Sequence, residues 1–192
     1  MDLNRYNKLD KAIKEEFLTE IHTRVNRPDF WNLKIKYNTY GHLGYTHGNQ
    51  IAMYVNAHPT YLITKGAEKF LVNKGYDLTK PHSRASLCNI RNEFRKKMLT
   101  YEHMIPTKVI RDLFEMMYNK TGSITKDEVR SILENCQVTI MLQTENDLIN
   151  LAGYKSQMPE NCNIEKNPEL RYETSGVELS DNVVQMYGAL MR

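Results

Sequence analysis

The segment that most limits how this chain can fold is "QVTIMLQ", residues 137–143. Its β-branched and apolar residues run without a polar break, which reads as a buried strand. It is preceded by a helix start, because Thr125 followed three residues later by Glu128 has the spacing of a capping box. That helix should run to about Glu134. It is followed by "QTENDL", in which Thr144 reads as the N-cap of a short last helix ending before Gly153. A buried strand held between two helices requires a mixed core. The expected class is therefore α+β and mostly helical.

Helical spacing recurs elsewhere. Tyr6, Leu9, Ile13, Phe17, Leu18, Ile21 and Val25 mark a helix over 5–25, stopped by "NRPD". "WNLKIKY" (31–37) alternates as a half-buried strand, and "YGHLGYTHGNQ" (40–50) reads as a Gly/His-rich loop. "IAMYVNA" suits a strand or a short helix, and Pro59 can open a helix reaching Gly75. "SRASLCNIRNEFRKK" (83–97) reads as a basic helix with Leu87, Ile90 and Phe94 inward. Pro106 fits the first turn of a helix to about Tyr118. After 153 the chain is poor in apolar residues, and Val183, Val184, Met186, Tyr187 and Leu190 suggest a short closing helix. The parts are thus 1–97, 98–152 and a loop-rich extension over 153–192, within one compact domain.

Composition excludes several classes. With 41% hydrophobic and 26% charged residues the chain is neither disordered nor membrane-spanning. Its first residues, "MDLNRYNKLDKAIKEEF", hold no uninterrupted apolar run of a signal peptide. Three cysteines without a C-x-x-C pair argue against a disulfide framework and a zinc knuckle, so a cytoplasmic protein is expected. The net charge of +3 is too small to announce a nucleic-acid partner. Basic residues nevertheless gather at Lys65, Lys69, Lys74, Lys80, Arg84, Arg91, Arg95, Lys96 and Lys97, against Glu68, Asp77 and Glu93. A solvated helical face explains them, and so does a phosphate-positioning surface.

The chemistry-bearing stretch is "TYEHMIP", 100–106, a strand-like segment that ends on Glu102 and His103 before a proline. Carboxylates are rarely buried unpaired, so the pair needs either a structural or a chemical reason. Glu102–His103–x–x–Pro106, then Asn135 before the strand over 137–143, then "QTENDL", together resemble the HNH, or His-Me finger, endonucleases. The resemblance covers about residues 98–152. It implies a ββα-metal module with strands near 98–104 and 137–143 and a helix near 145–152. It further implies that His103 is the general base, assisted by Asn135, and that Glu102 and Asn146 bind one Mg²⁺ or Mn²⁺ ion. A histidine of ordinary pKa can take a proton from water at neutral pH, and a hard cation bound by a carboxylate and an amide keeps positions open for phosphate. The spacing departs from compact versions, because 32 residues separate His103 from Asn135 and a helix pair is inserted.

The expected function is metal-dependent hydrolysis of DNA, in a restriction or phage-conflict role, for which a homodimer is one arrangement. Arg91, Arg95, Lys96 and Lys97 would supply phosphate contacts. The alternative is a non-catalytic nucleic-acid or protein-binding module in which Glu102 and His103 pin a turn. Two other groups carry less. "MYNKTGSITKDE" has EF-hand offsets at Gly122, Ile124 and Glu128, but Met117 stands where the first carboxylate belongs. His42, His47 and His58 have no standard metal spacing.

Overall fold

The computed structural model describes residues 3–31, 42–92 and 94–187. The elements run α1 (Leu3–Val25), α2 (His42–Asn56), β1 (Thr60–Thr64), α3 (Lys65–Asn73), β2 (His82–Ser83), α4 (Arg84–Cys88) and β3 (Leu99–His103). They continue as α5 (Thr107–Thr121), α6 (Lys126–Glu134), β4 (Val138–Leu142), α7 (Gln143–Leu151), α8 (Leu170–Thr174) and β5 (Leu179–Tyr187). The fold is α+β: helices surround a five-stranded mixed sheet of order β2-β5-β1-β4-β3. Strands β1 and β4 are parallel, while β5 is antiparallel to β1 and β3 is antiparallel to β4. Among the described residues no helix is long and apolar enough to cross a membrane.

The pleat divides the side chains between two cores. Tyr61, Ile63, Leu99, Val138, Ile140, Val184 and Met186 face the larger core, with Leu18, Ile21, Ile51, Phe114 and Leu133 from the helices. The opposite face carries Met104 and Met141, which pack with Ile149 of α7, Tyr172 of α8 and Val177. Strand β4 is therefore covered on both faces, which is why its sequence is apolar apart from Thr139.

Several expectations are corrected. The helix expected from Pro59 is instead strand β1 followed by α3, because Thr64 caps a new helix start by accepting from the Ala67 amide at 3.2 Å. Gly66 does not weaken that helix to no purpose: a Cβ there would collide with the Glu145 carboxylate. That carboxylate accepts from the Thr64 hydroxyl at 2.5 Å and from the Leu142 amide at 2.8 Å, so it links the carboxyl ends of β1 and β4. It also moves the start of α7 to Gln143, with Leu142 rather than Thr144 at the cap. The segment 42–50, expected as a loop, lies in α2. Residues 32–37 of the expected strand lie outside the described residues. The basic helix over 83–97 stops at Cys88, and the closing helix expected around 183–190 is strand β5 as far as Tyr187. The β-branched pair Val183–Val184 suits a pleated surface, with Val184 buried and Val183 half exposed. Since β5 lies between β2 and β1, Leu179–Tyr187 is part of the sheet. Helices α1, α5 and α6 stand close to where spacing and capping put them, and the Thr125–Glu128 capping box is formed in both directions.

Candidate functional site

Strand β3 presents Glu102 and His103 to opposite sides of the sheet, since successive residues alternate. Glu102 faces the smaller core and accepts from Nη2 of Arg171, a side chain with no exposure at all. The same guanidinium donates to the His103 carbonyl at 2.7 Å and to the Tyr154 carbonyl at 2.9 Å, and its Nε has no partner. It lies 5.3 Å from the centre of the Tyr172 ring. Burying a guanidinium demands a carboxylate, and Glu102 is the one supplied.

His103 turns toward the end of α2, where Nε2 is 3.2 Å from Asn56 Oδ1. The ring also bonds the Ala52 backbone, and a neutral imidazole has one N–H to give, so its tautomer is set by which of the two groups takes that proton. Burial pushes the His103 pKa down to about 4, helped by the positive charges of Arg84 and Arg171. It is therefore a free base at pH 7, but too weak to draw a proton efficiently from water.

The remaining motif residues are spread along the strand pair. Register pairs Glu102 with Thr139 and His103 with Val138. Asn135, the C-cap of α6, lies at that end of the pair, beside Cys136 and its bond to the Ile105 carbonyl. Helix α7 starts at the other end, where the Gln143 amide donates to the Met98 carbonyl at 3.0 Å. The five residues of β4 separate the two ends by about 13 Å. Asn146 sits one turn into α7, partly buried. The residues expected to share one cleft are thus divided between two faces and two ends. With Glu102 paired to the buried guanidinium, this donor set has no free carboxylate to offer a divalent cation.

The basic residues, in contrast, are brought together. After α4 the chain folds back on itself through an antiparallel bridge between Arg91 and Lys97, with the Met98 amide donating to the Ile90 carbonyl at 3.3 Å. Asn92 organises the turn. Its side-chain oxygen accepts from the Phe94 and Lys96 amides at 3.0 and 2.9 Å, and its carbonyl accepts from the Arg95 amide at 2.9 Å. Asn and Asp favour turns for this reason. Arg91, Phe94, Arg95, Lys96 and Lys97 are all exposed, Phe94 to 73%. Among the described residues, Arg95, Lys96 and Lys97 have no ion-pair partner. Arg95 has φ +58°, and among the described residues it is the only non-glycine with positive φ. A left-handed arginine costs about 1–2 kcal/mol where glycine would cost nothing. Helix α4, which precedes the turn, is anchored to β3, because the Arg84 guanidinium stacks 4.7 Å above the Tyr101 ring, whose hydroxyl donates to the Arg84 carbonyl.

Two polar groups were not evident in the sequence. Arg171 lies in a stretch that reads as loop, and nothing local marks it as buried. The second group is Glu134, whose carboxylate accepts from Lys14 at 2.8 Å and Tyr54 at 2.6 Å and lies 3.3 Å from His58 Nε2. Burial pushes the Glu134 pKa up, but the bonds from Lys14 and Tyr54 outweigh it and hold it below its ordinary value. This group ties α1, α2 and α6 together. A cavity of about 470 Å³ also opens beside α8 and the start of β5, with Lys65, Tyr172 and Glu178 in its lining. Its Lys65 and Glu178 pair with each other at 2.8 Å.

Among the described residues no group of three or more His, Cys, Asp or Glu is placed to hold a metal ion. No known protein family, characterised protein or solved structure matches the chain.

Proposed function

We propose that this protein is a nucleic-acid-binding module that contacts phosphates through the turn over residues 91–97. The observation that carries the reading is Arg95, Lys96 and Lys97 held on one exposed, hydrogen-bonded turn, without ion-pair partners among the described residues. Cations without an intramolecular partner can displace counterions from a polyanion, and an ordered turn backbone reduces the entropy lost on binding. In this reading Glu102 and Arg171 secure the far end of β3, the strand into which the turn leads.

The test is fluorescence anisotropy of labelled DNA across a salt series. Substituting Arg91, Arg95, Lys96 and Lys97 together by Gln should weaken binding equally for all sequences. The slope of log K against log salt should fall by about 0.7–0.9 for each phosphate that is no longer neutralised. An unchanged slope and affinity would show these residues to be only a solvated surface.

A second reading, DNA hydrolysis with Mg²⁺ or Mn²⁺, rests on one observation. Strands β3 and β4 followed by α7 repeat the strand–strand–helix order of His-Me finger enzymes. It requires Glu102 to exchange Arg171 for the cation. Plasmid cleavage by the parent, lost in His103→Gln, would support it; an intact plasmid with either metal would dismiss it.

A further inference from the structure

We propose that the 91–97 turn selects unpaired bases, with Phe94 as the ring on which a base stacks; this rests on the nucleic-acid reading above. The phenyl group is 73% exposed at the tip of the turn. Phenylalanine is ordinarily buried, so an exposed one held in place by backbone hydrogen bonds is a candidate contact residue. The Asn92 side chain accepts from the Phe94 amide itself, so the ring is presented by an ordered backbone.

The chemistry around the ring names the ligand. Arg95, Lys96 and Lys97 follow Phe94 directly, against one neighbouring carboxylate in the sequence, Glu93. A flat apolar surface flanked by cations matches a chain that alternates flat bases with phosphates. Single-stranded nucleic acid is that chain, and stacking platforms beside basic grooves are how such strands are held. In a duplex the base faces are already stacked on one another and are closed to the ring. Phenylalanine has no donor or acceptor for base edges, so binding should tolerate any sequence. An anionic membrane would also attract the cations, but its apolar interior rewards a broad amphipathic face, and this turn offers a single ring.

The experiment uses the whole chain and a fluorescein-labelled 20-nucleotide DNA of mixed sequence, single-stranded or annealed to its complement, at matched ionic strength. The single strand should bind more tightly than the duplex. Phe94→Ala should weaken single-strand binding by about 5- to 150-fold, the worth of one base–aromatic stack, with the salt slope unchanged. Phe94→Trp should preserve the affinity, and its indole fluorescence should be quenched by the single strand and not by the duplex. If Phe94→Ala binds the single strand as the parent does while the cation substitutions weaken it, stacking is wrong and phosphate binding stands. If the parent binds neither DNA form, both readings fail. Binding to phosphatidylserine vesicles that depends on Phe94, without binding to DNA, would replace the strand by a membrane.

Discussion

Replacing Arg95 by glycine should make the protein more stable and a poorer DNA binder at once. Arg95 holds φ +58°, and the left-handed region costs an ordinary residue about 1–2 kcal/mol. Glycine removes that cost but gains freedom in the unfolded chain, which takes back about 0.4–1 kcal/mol. The side chain is exposed, so packing is unaffected, and the Arg95 amide can still donate to the Asn92 carbonyl. The net gain is about 0.5–1 kcal/mol, a rise of roughly 1–4 °C in Tm for a chain of this size. Removing the guanidinium should reduce the salt slope of DNA binding by about 0.7–0.9. Arg95→Ala separates the two effects, because it removes the charge and keeps the strained backbone. It should show the smaller slope without the rise in Tm. Thermal denaturation followed by circular dichroism and anisotropy titrations read both quantities on the same preparations. If Arg95→Gly melts at or below the parent temperature, the turn is not strained. If both variants keep the parent slope, Arg95 does not touch phosphate.

Glu102→Gln keeps size but removes the charge that balances the fully buried Arg171, so it should lower stability by about 2–4 kcal/mol in urea unfolding. Arg171→Met alone, which leaves Glu102 without its partner and takes the donors from the His103 and Tyr154 carbonyls, should also destabilise. The double variant Glu102→Leu/Arg171→Met should lose less than the two single losses added together; strict additivity would mean that the pair is not coupled. Acid should also weaken the fold through His103, whose folded pKa lies near 4, below its ordinary value of 6.5. Between those values the unfolded chain binds the extra proton, so stability falls as pH drops from about 6.5 to about 4, by up to about 3 kcal/mol. His103→Gln should flatten this dependence in part, since His58 is shifted the same way by burial. A profile as steep as the parent's would place the effect elsewhere.

Signals that act over a few residues were legible in the sequence. The period of α1, the Thr125–Glu128 box that opens α6, Pro106 before α5 and the apolar run of β4 each reflect local backbone chemistry, and the α+β class follows from them. The basic cluster was legible as composition. Its shape was not, because the turn depends on Asn92 accepting from the Phe94 and Lys96 amides, where spacing alone favoured a helix. Strand β5 was hidden as well, since Val184 and Met186 are buried by pairing with strands from far earlier in the chain. The decisive case is Glu102 and His103. The sequence sets them side by side, but their roles depend on which sheet face each meets. Arg171, 69 residues away, claims Glu102, while Asn56, 47 residues away on the other face, holds His103. Adjacency in the chain is covalent, whereas partnership across a pleated sheet is decided by packing, and only the tertiary structure contains that.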